Sequence, residues 1–218
     1  MPTTTRSRKT KAKSKSKSSA ARQDAVALLK ADHRKVEGLF RKAEKASGSA
    51  KEKLVGQICS ELIVHTTLEE EIFYPACRAE DVEEDKMDEA QVEHDGAKVL
   101  INDLMGAGAD SEAYDAKVKV LSEYIKHHVK EEEKPRTGVF AEARRKGLDM
   151  TEIGRQIGAR KEELMTRAGE GGLPRPKPKM VDVSAGGSGR PRAETAERSS
   201  GGALRSMALA AKRAAFGE

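Results

Sequence analysis

Along residues 25–46, Leu29, Val36 and Phe40 recur in one helical phase, and His33 falls in the middle of it. The short polar run "SGS" at 47–49 ends this stripe. A second stripe contains Leu54, Ile58, Leu62, His65, Glu69 and Ile72 and stops near Pro75. A third contains Met87, Ala90, His94, Ala97, Ile101 and Leu104, closed by "GAGADS". A fourth contains Val118, Leu121, Ile125, His128 and Glu132, shortly before Pro135. Four helices of about 20 residues joined by short polar loops predict an all-α, up-down-up-down antiparallel four-helix bundle. Past Pro135, "TGVFAEARRKGLD" reads as a turn, and "MTEIGRQIGARKEELM" predicts an additional helix over residues 149–168 packed on the bundle.

Each stripe is interrupted by a side chain that is costly to bury. His33 interrupts the first, His65 and Glu69 the second, His94 the third, and His128 with Glu132 the fourth. Residues four apart share a helix face, so each His-x-x-x-Glu pair can bind one ion or bridge two. The order also repeats, a lone histidine followed by a His-x-x-x-Glu pair in each half of the chain, which suits two metals about a pseudo-twofold axis. A single histidine on an apolar face is more often a hydrogen-bonded core residue. Six such groups in the Leu/Ile/Val phase of four helices are harder to explain that way, because an unpaired buried carboxylate costs several kcal/mol. A cation removes that cost. Four nitrogens and two carboxylates suit Fe, Mn or Zn rather than Ca or Mg, and iron is the expected metal. Six protein ligands on two ions leave positions for small ligands such as O2, NO or peroxide.

Composition sets the limits of this reading. The 218 residues include no tryptophan and few aromatics, so the core rests on aliphatic side chains. No apolar run reaches the roughly 18 residues of a membrane span, and the N-terminus lacks the apolar stretch of a secretory signal. Cys59 and Cys77 form no CxxC and read as buried or idle thiols in a reducing cytoplasm. Residues 1–22 carry eight Lys or Arg and no acid, whereas 23–169 carry 24 basic and 31 acidic residues. Residues 1–22 are therefore expected to be a disordered basic tail with, at most, a salt-sensitive attraction to nucleic acid. Residues 169–218, beginning "GEGGLPRPKPK", are expected to be a flexible basic tail. Its "ALRSMALAAKRAAF" is either a frayed end or a short amphipathic helix.

The motifs "ADH" at 31–33, "HTTLEEEIFYP" at 65–75, "EH" at 93–94 and "HHVKEEE" at 127–133 resemble the hemerythrin family, specifically its bacterial HHE cation-binding domains. The resemblance covers residues 23–148. It implies a four-helix bundle around a non-haem di-iron centre bridged by carboxylates and an oxo or hydroxo group. The ligands it implies are His33, His65, Glu69, His94, His128 and Glu132. Two departures stand out. The family's oxygen carriers place an additional histidine one turn from the third-helix ligand, where this chain has Ala90 and Lys98. Reversible O2 storage is therefore less expected than sensing, stress response or iron handling. In addition, "EEEKPRTGVF" at 131–140 departs from the second repeat, and a rotation of about 100°, one residue of helix, would put His127 and Glu131 in place of His128 and Glu132. Tyr124 is either core or a hydrogen-bonding neighbour of the centre. Glu70 and Glu71 read as a solvated face, or as groups that orient a ligand or move protons.

Three functions remain distinct on these grounds. They are a di-iron protein that binds or senses a small ligand or handles iron, a di-iron enzyme that turns over peroxide or NO, and a basic-tailed module that binds nucleic acid or a protein partner.

Overall fold

Asp24 stands in extended conformation ahead of the first helix and accepts the N–H of Ala27 on its carboxylate at 2.9 Å. The computed structural model describes residues 24–182. From this cap α1 runs Ala25–Ala43, followed by α2 (Gly48–Leu68), a π-helical turn (Glu69–Phe73) and α3 (Tyr74–Ala79). Then come α4 (Glu84–Met105), α5 (Tyr114–Glu132), α6 (Val139–Arg145) and α7 (Met150–Glu170). The described residues contain no strand. None of the described helices is long and apolar enough to cross a membrane.

α1 packs on α2 and α5, and α4 packs on the same two helices, so α1, α2, α4 and α5 close a ring. The apolar interior falls into two clusters. Along α1, Leu29 belongs to one and Val36 to the other, with His33 between them. Along α4, His94 lies in the same way between Ala90 and Ala97. A polar layer therefore crosses the core at the level where the periodicity places histidines.

The second helix does not stop at Pro75. The N–H of Tyr74 reaches back to the carbonyl of Glu69, a five-residue bond that widens the turn into a π bulge. Proline lacks an N–H and normally breaks an α ladder. Here it follows the bulge and sits in the first turn of α3, so the chain continues to Ala79. The extra residue also shifts the phase. Phe73, Tyr74 and Cys77 are buried beyond Glu69, while Ile72, expected in the stripe, is only partly covered.

Past Glu132 the chain makes a tight reversal. A side chain at Gly138 would place its Cβ 2.4 Å from the carbonyl oxygen of Glu132, so only glycine permits the approach. The reversal delivers Phe140 from α6 onto the ring of His33, stacked at 5.8 Å between centroids. α7 covers α1, α2 and the π turn.

Residues 171–182, expected to be loose, lie along α4 instead. The N–H groups of Lys179, Met180 and Val181 all donate to Oδ2 of Asp95, at 2.7, 2.6 and 3.1 Å. Arg175 donates to the carbonyl of Asn102 at 2.7 Å, and Asn102 donates to that of Pro176 at 2.8 Å. A carboxylate that accepts three backbone donors anchors a segment that has no helix or strand of its own. The basic stretch 1–22 and the "ALRSMALAAKRAAF" segment lie outside the described residues.

Candidate metal centre

His33 comes from α1, His65 from α2, Glu69 from the π turn, His94 from α4, and His128 with Glu132 from α5. None of the six is more than 4% exposed. Nε2 of His33 lies 3.1 Å from Nε2 of His65 and 3.4 Å from Oε2 of Glu132. Oε2 of Glu69 lies 3.2 Å from Nε2 of both His65 and His94, and 3.8 Å from that of His128. Nε2 of His94 and His128 are 3.3 Å apart, and His128 is 3.5 Å from Oε2 of Glu132. Two overlapping groups result, His33–His65–Glu69–Glu132 and Glu69–His94–His128, each with its donor atoms within 4.8 Å of one another. Glu69 belongs to both.

A second ring of carboxylates stands outside the first. Nδ1 of His33 donates to Glu133 at 2.8 Å, Nδ1 of His94 to Glu70 at 3.0 Å, and Nδ1 of His128 to Glu93 at 2.9 Å. These bonds fix the ring orientation and turn each Nε2 inward. Nδ1 of His65 lacks a hydrogen-bond partner, and the nearest carboxylate, that of Asp32, is 4.0 Å away. Tyr74 donates its hydroxyl to Oε1 of Glu132 at 3.0 Å.

Without a cation, the buried charges inside are offset by protons. Burial pushes the Glu69 carboxyl upward, but the charge of His65 and hydrogen bonds from three histidines hold it well below its usual range. Burial and the neighbouring Glu69 charge push Glu132 up to about 8. Burial lowers His33 to about 4, so that imidazole is neutral. Burial works against charge on His65 as well, yet the charge of Glu69 and the nearby Asp32 carboxylate raise it to about 10, and Glu132, with Glu69 and Glu93, raises His128. Protons therefore collect on these inward atoms. Oε1 of Glu69 and Oε2 of Glu132 still have no hydrogen-bond partner, an arrangement a buried carboxylate rarely tolerates. A cation resolves both facts. Two donors bound at about 2.1 Å and a right angle stand about 3 Å apart, close to the His–His and His–Glu spacings observed here. The residues fit a metal, and nitrogen with carboxylate donors fits a transition metal better than Ca or Mg.

Histidine phase along α5 is unambiguous. His128 is buried, whereas the side chain of His127 is 58% exposed and faces Glu93. Tyr124, expected in the core or near the centre, does neither and is 47% exposed, its ring against Gly96. Glu70 is not a solvated group, since it bonds His94, Lys98 and Lys179, while Glu71 does face outward to Arg160. The periodicity did not single out Glu133, Glu93, Asp32 or Tyr74. Their signal is adjacency, because Asp32 and Glu93 each directly precede a lone histidine. One residue along a helix turns a side chain by about 100°, so these acids approach the histidine of the next helix, His65 and His128 respectively, rather than their neighbour's.

A family model described as the Hemerythrin HHE cation binding domain matches residues 24–135. Among solved structures, a hemerythrin HHE cation binding domain-containing protein from Mycobacterium kansasii resembles this chain with a TM-score of 0.58 and 22% identity. That likeness covers 69% of this chain and 95% of the mycobacterial one, and at this identity it speaks for the fold. No curated protein matches the chain.

Proposed function

We propose, for a chain that belongs to the hemerythrin HHE cation-binding family, a centre of two iron ions held by His33, His65, Glu69, His94, His128 and Glu132. The observation that carries this reading is the convergence of four imidazoles and two carboxylates, two of whose buried oxygens have no other partner. An up-down-up-down antiparallel four-helix bundle is the matching architecture, supported by the closed ring of helix contacts and the structural likeness. Iron is favoured over Mn or Zn because carboxylates able to bridge, together with imidazoles, suit a redox-active pair.

Bound iron supplies open coordination positions and electron transfer to O2, NO or peroxide. The chain's own groups do the rest. Glu133, Glu70 and Glu93 orient three histidines through Nδ1. Phe73 and Phe140, ring to ring at 5.5 Å, shield one side of the centre from water. Tyr74, whose hydroxyl is kept protonated by burial and by the charges of Glu132 and Glu69, holds Glu132 by a hydrogen bond.

The protein so built binds or senses a small ligand, or handles iron, under oxidative or nitrosative stress in a reducing cytoplasm, where the free thiols of Cys59 and Cys77 fit. The test is metal analysis after anaerobic reconstitution, with absorption spectra before and after azide or O2. About two irons per chain and new ligand-dependent bands support the reading, whereas less than one iron per chain rejects it. Turnover of peroxide or NO is a second reading, favoured by the phenol donor of Tyr74 beside the centre. Multiple turnovers per centre distinguish it from sensing. Contact of residues 1–22 with nucleic acid rests on charge alone and predicts salt-dependent binding that is lost when they are deleted.

A further inference from the structure

A third set of ligand-type side chains lies outside the centre. Glu89 and Glu93 stand one turn apart on α4, His127 approaches from α5, and one donor atom of each lies within 4.8 Å of the others. Nε2 of His127 is 3.3 Å from Oε1 of Glu93. The other oxygen of that carboxylate accepts from Nδ1 of His128 at 2.9 Å, so Glu93 links an exposed histidine to a buried one. Beside the triad lies a cavity of about 70 Å³, with room for several waters. Its wall includes Glu89, Glu93 and Glu131 on the outer side and His128 and Glu132 on the inner side. Glu132, 1% exposed, carries one of the two carboxylate oxygens without a hydrogen-bond partner.

We infer that Glu89, Glu93 and His127 form an entry site that holds a divalent cation, Fe2+ in the first place, before it passes along this cavity to the centre. The inference rests on the proposed iron centre and adds the route by which it fills. Two carboxylates at i and i+4 repel each other, and a cation between them relieves that repulsion. One imidazole and two carboxylates are the same donor chemistry as the inner site, so an ion need not change its preferred ligands on the way. Exposure keeps the outer site weak, because water completes the shell and exchanges freely. Glu132 continues the carboxylate path inward, whereas Glu131 is paired with Lys134 at 2.6 Å. The one cationic side chain in the cavity wall, Lys86, is already paired with Glu83 and with Glu142, so it does not oppose the ion.

The experiment compares the full-length chain with a Glu89→Gln/His127→Gln double variant, which leaves Glu93 and its bond to His128 in place. Iron uptake is followed after anaerobic mixing with low-micromolar Fe2+, as the fraction that resists a fast chelator. Mn2+ is then added to the iron-filled proteins and counted by electron paramagnetic resonance. The expected result is the same final iron content in both, uptake slowed about tenfold in the variant, the scale of an electrostatic focusing effect, and one weakly held Mn2+ present only in the parent. Equal uptake rates, or no additional Mn2+ on the iron-filled parent, overturn the entry site while leaving the centre intact. A parent that retains no iron overturns the centre and the entry site together.

Discussion

Oε1 of Glu70 accepts from Nδ1 of His94 at 3.0 Å and from Nζ of Lys98 at 2.6 Å. One carboxylate thereby orients a candidate ligand and compensates a buried lysine, while its other oxygen meets Lys179 at 2.8 Å. Burial pushes this acid upward, but hydrogen bonds from His94, Lys179 and Lys98 hold it at about 2, so it stays ionised at any physiological pH.

Replacing it should separate it from its neighbour in sequence. Glu70→Ala frees the His94 ring and strips a partner from Lys98, so metal affinity should fall about 10- to 100-fold, as when an outer-sphere partner of a ligand is removed. Glu71→Ala removes an exposed pair with Arg160 and should leave affinity within a factor of two or so. Competition with a chelator of known affinity measures both.

Adjacent histidines on α5 give a second contrast. His128→Ala should abolish ordinary loading of the centre, since His128 is 3% exposed and points its Nε2 inward. His127→Ala should reach the same final metal content as the parent, because that ring lies outside. Metal per chain after exhaustive reconstitution decides it, and the reverse outcome would return the alternative pair His127 and Glu131.

The anchor at Asp95 predicts an effect on the segment it holds. Asp95→Ala removes the acceptor of three backbone N–H groups and one partner of Lys98, so stability should fall by about 2 kcal/mol or more. Residues 171–182 should become accessible to protease at the same time. Denaturant unfolding and limited proteolysis of the parent and variant provide the measurements.

Metal binding should release protons. In the metal-free chain Glu132 is pushed up to about 8 and His65 to about 10, so both hold a proton at pH 7 on atoms that would bind the ion. A ligand must lose its proton to bind, so apparent affinity should rise with pH across the neutral range and fall as pH is lowered. Titration calorimetry in buffers of different ionisation enthalpy should give at least one proton released per loaded chain at pH 7. A release of zero would contradict the charge balance described for the centre.

The amino-acid sequence by itself determined which faces of the four long helices turn inward, because burial leaves its mark directly as a 3.6-residue period. His33, His65, Glu69, His94, His128 and Glu132 were legible for that reason, each standing where an aliphatic residue would otherwise be required. The end of the second helix was not legible. A π turn inserts a residue through backbone hydrogen bonding that no side-chain pattern records, so Pro75 read as a stop and Ile72 as core. Nor was the outer ring of Glu133 and Glu93, while Glu70 was legible only as one of two open alternatives, a solvated acid or one that orients a ligand. Those acids look like solvated helix faces along the chain, and only the packing of one helix against the next brings each to the imidazole it orients. Tertiary structure alone decided that residues 171–182 lie on α4, since their anchors, Asp95 together with Asn102 and Glu70, are distant in sequence, with no period in the segment itself to announce them.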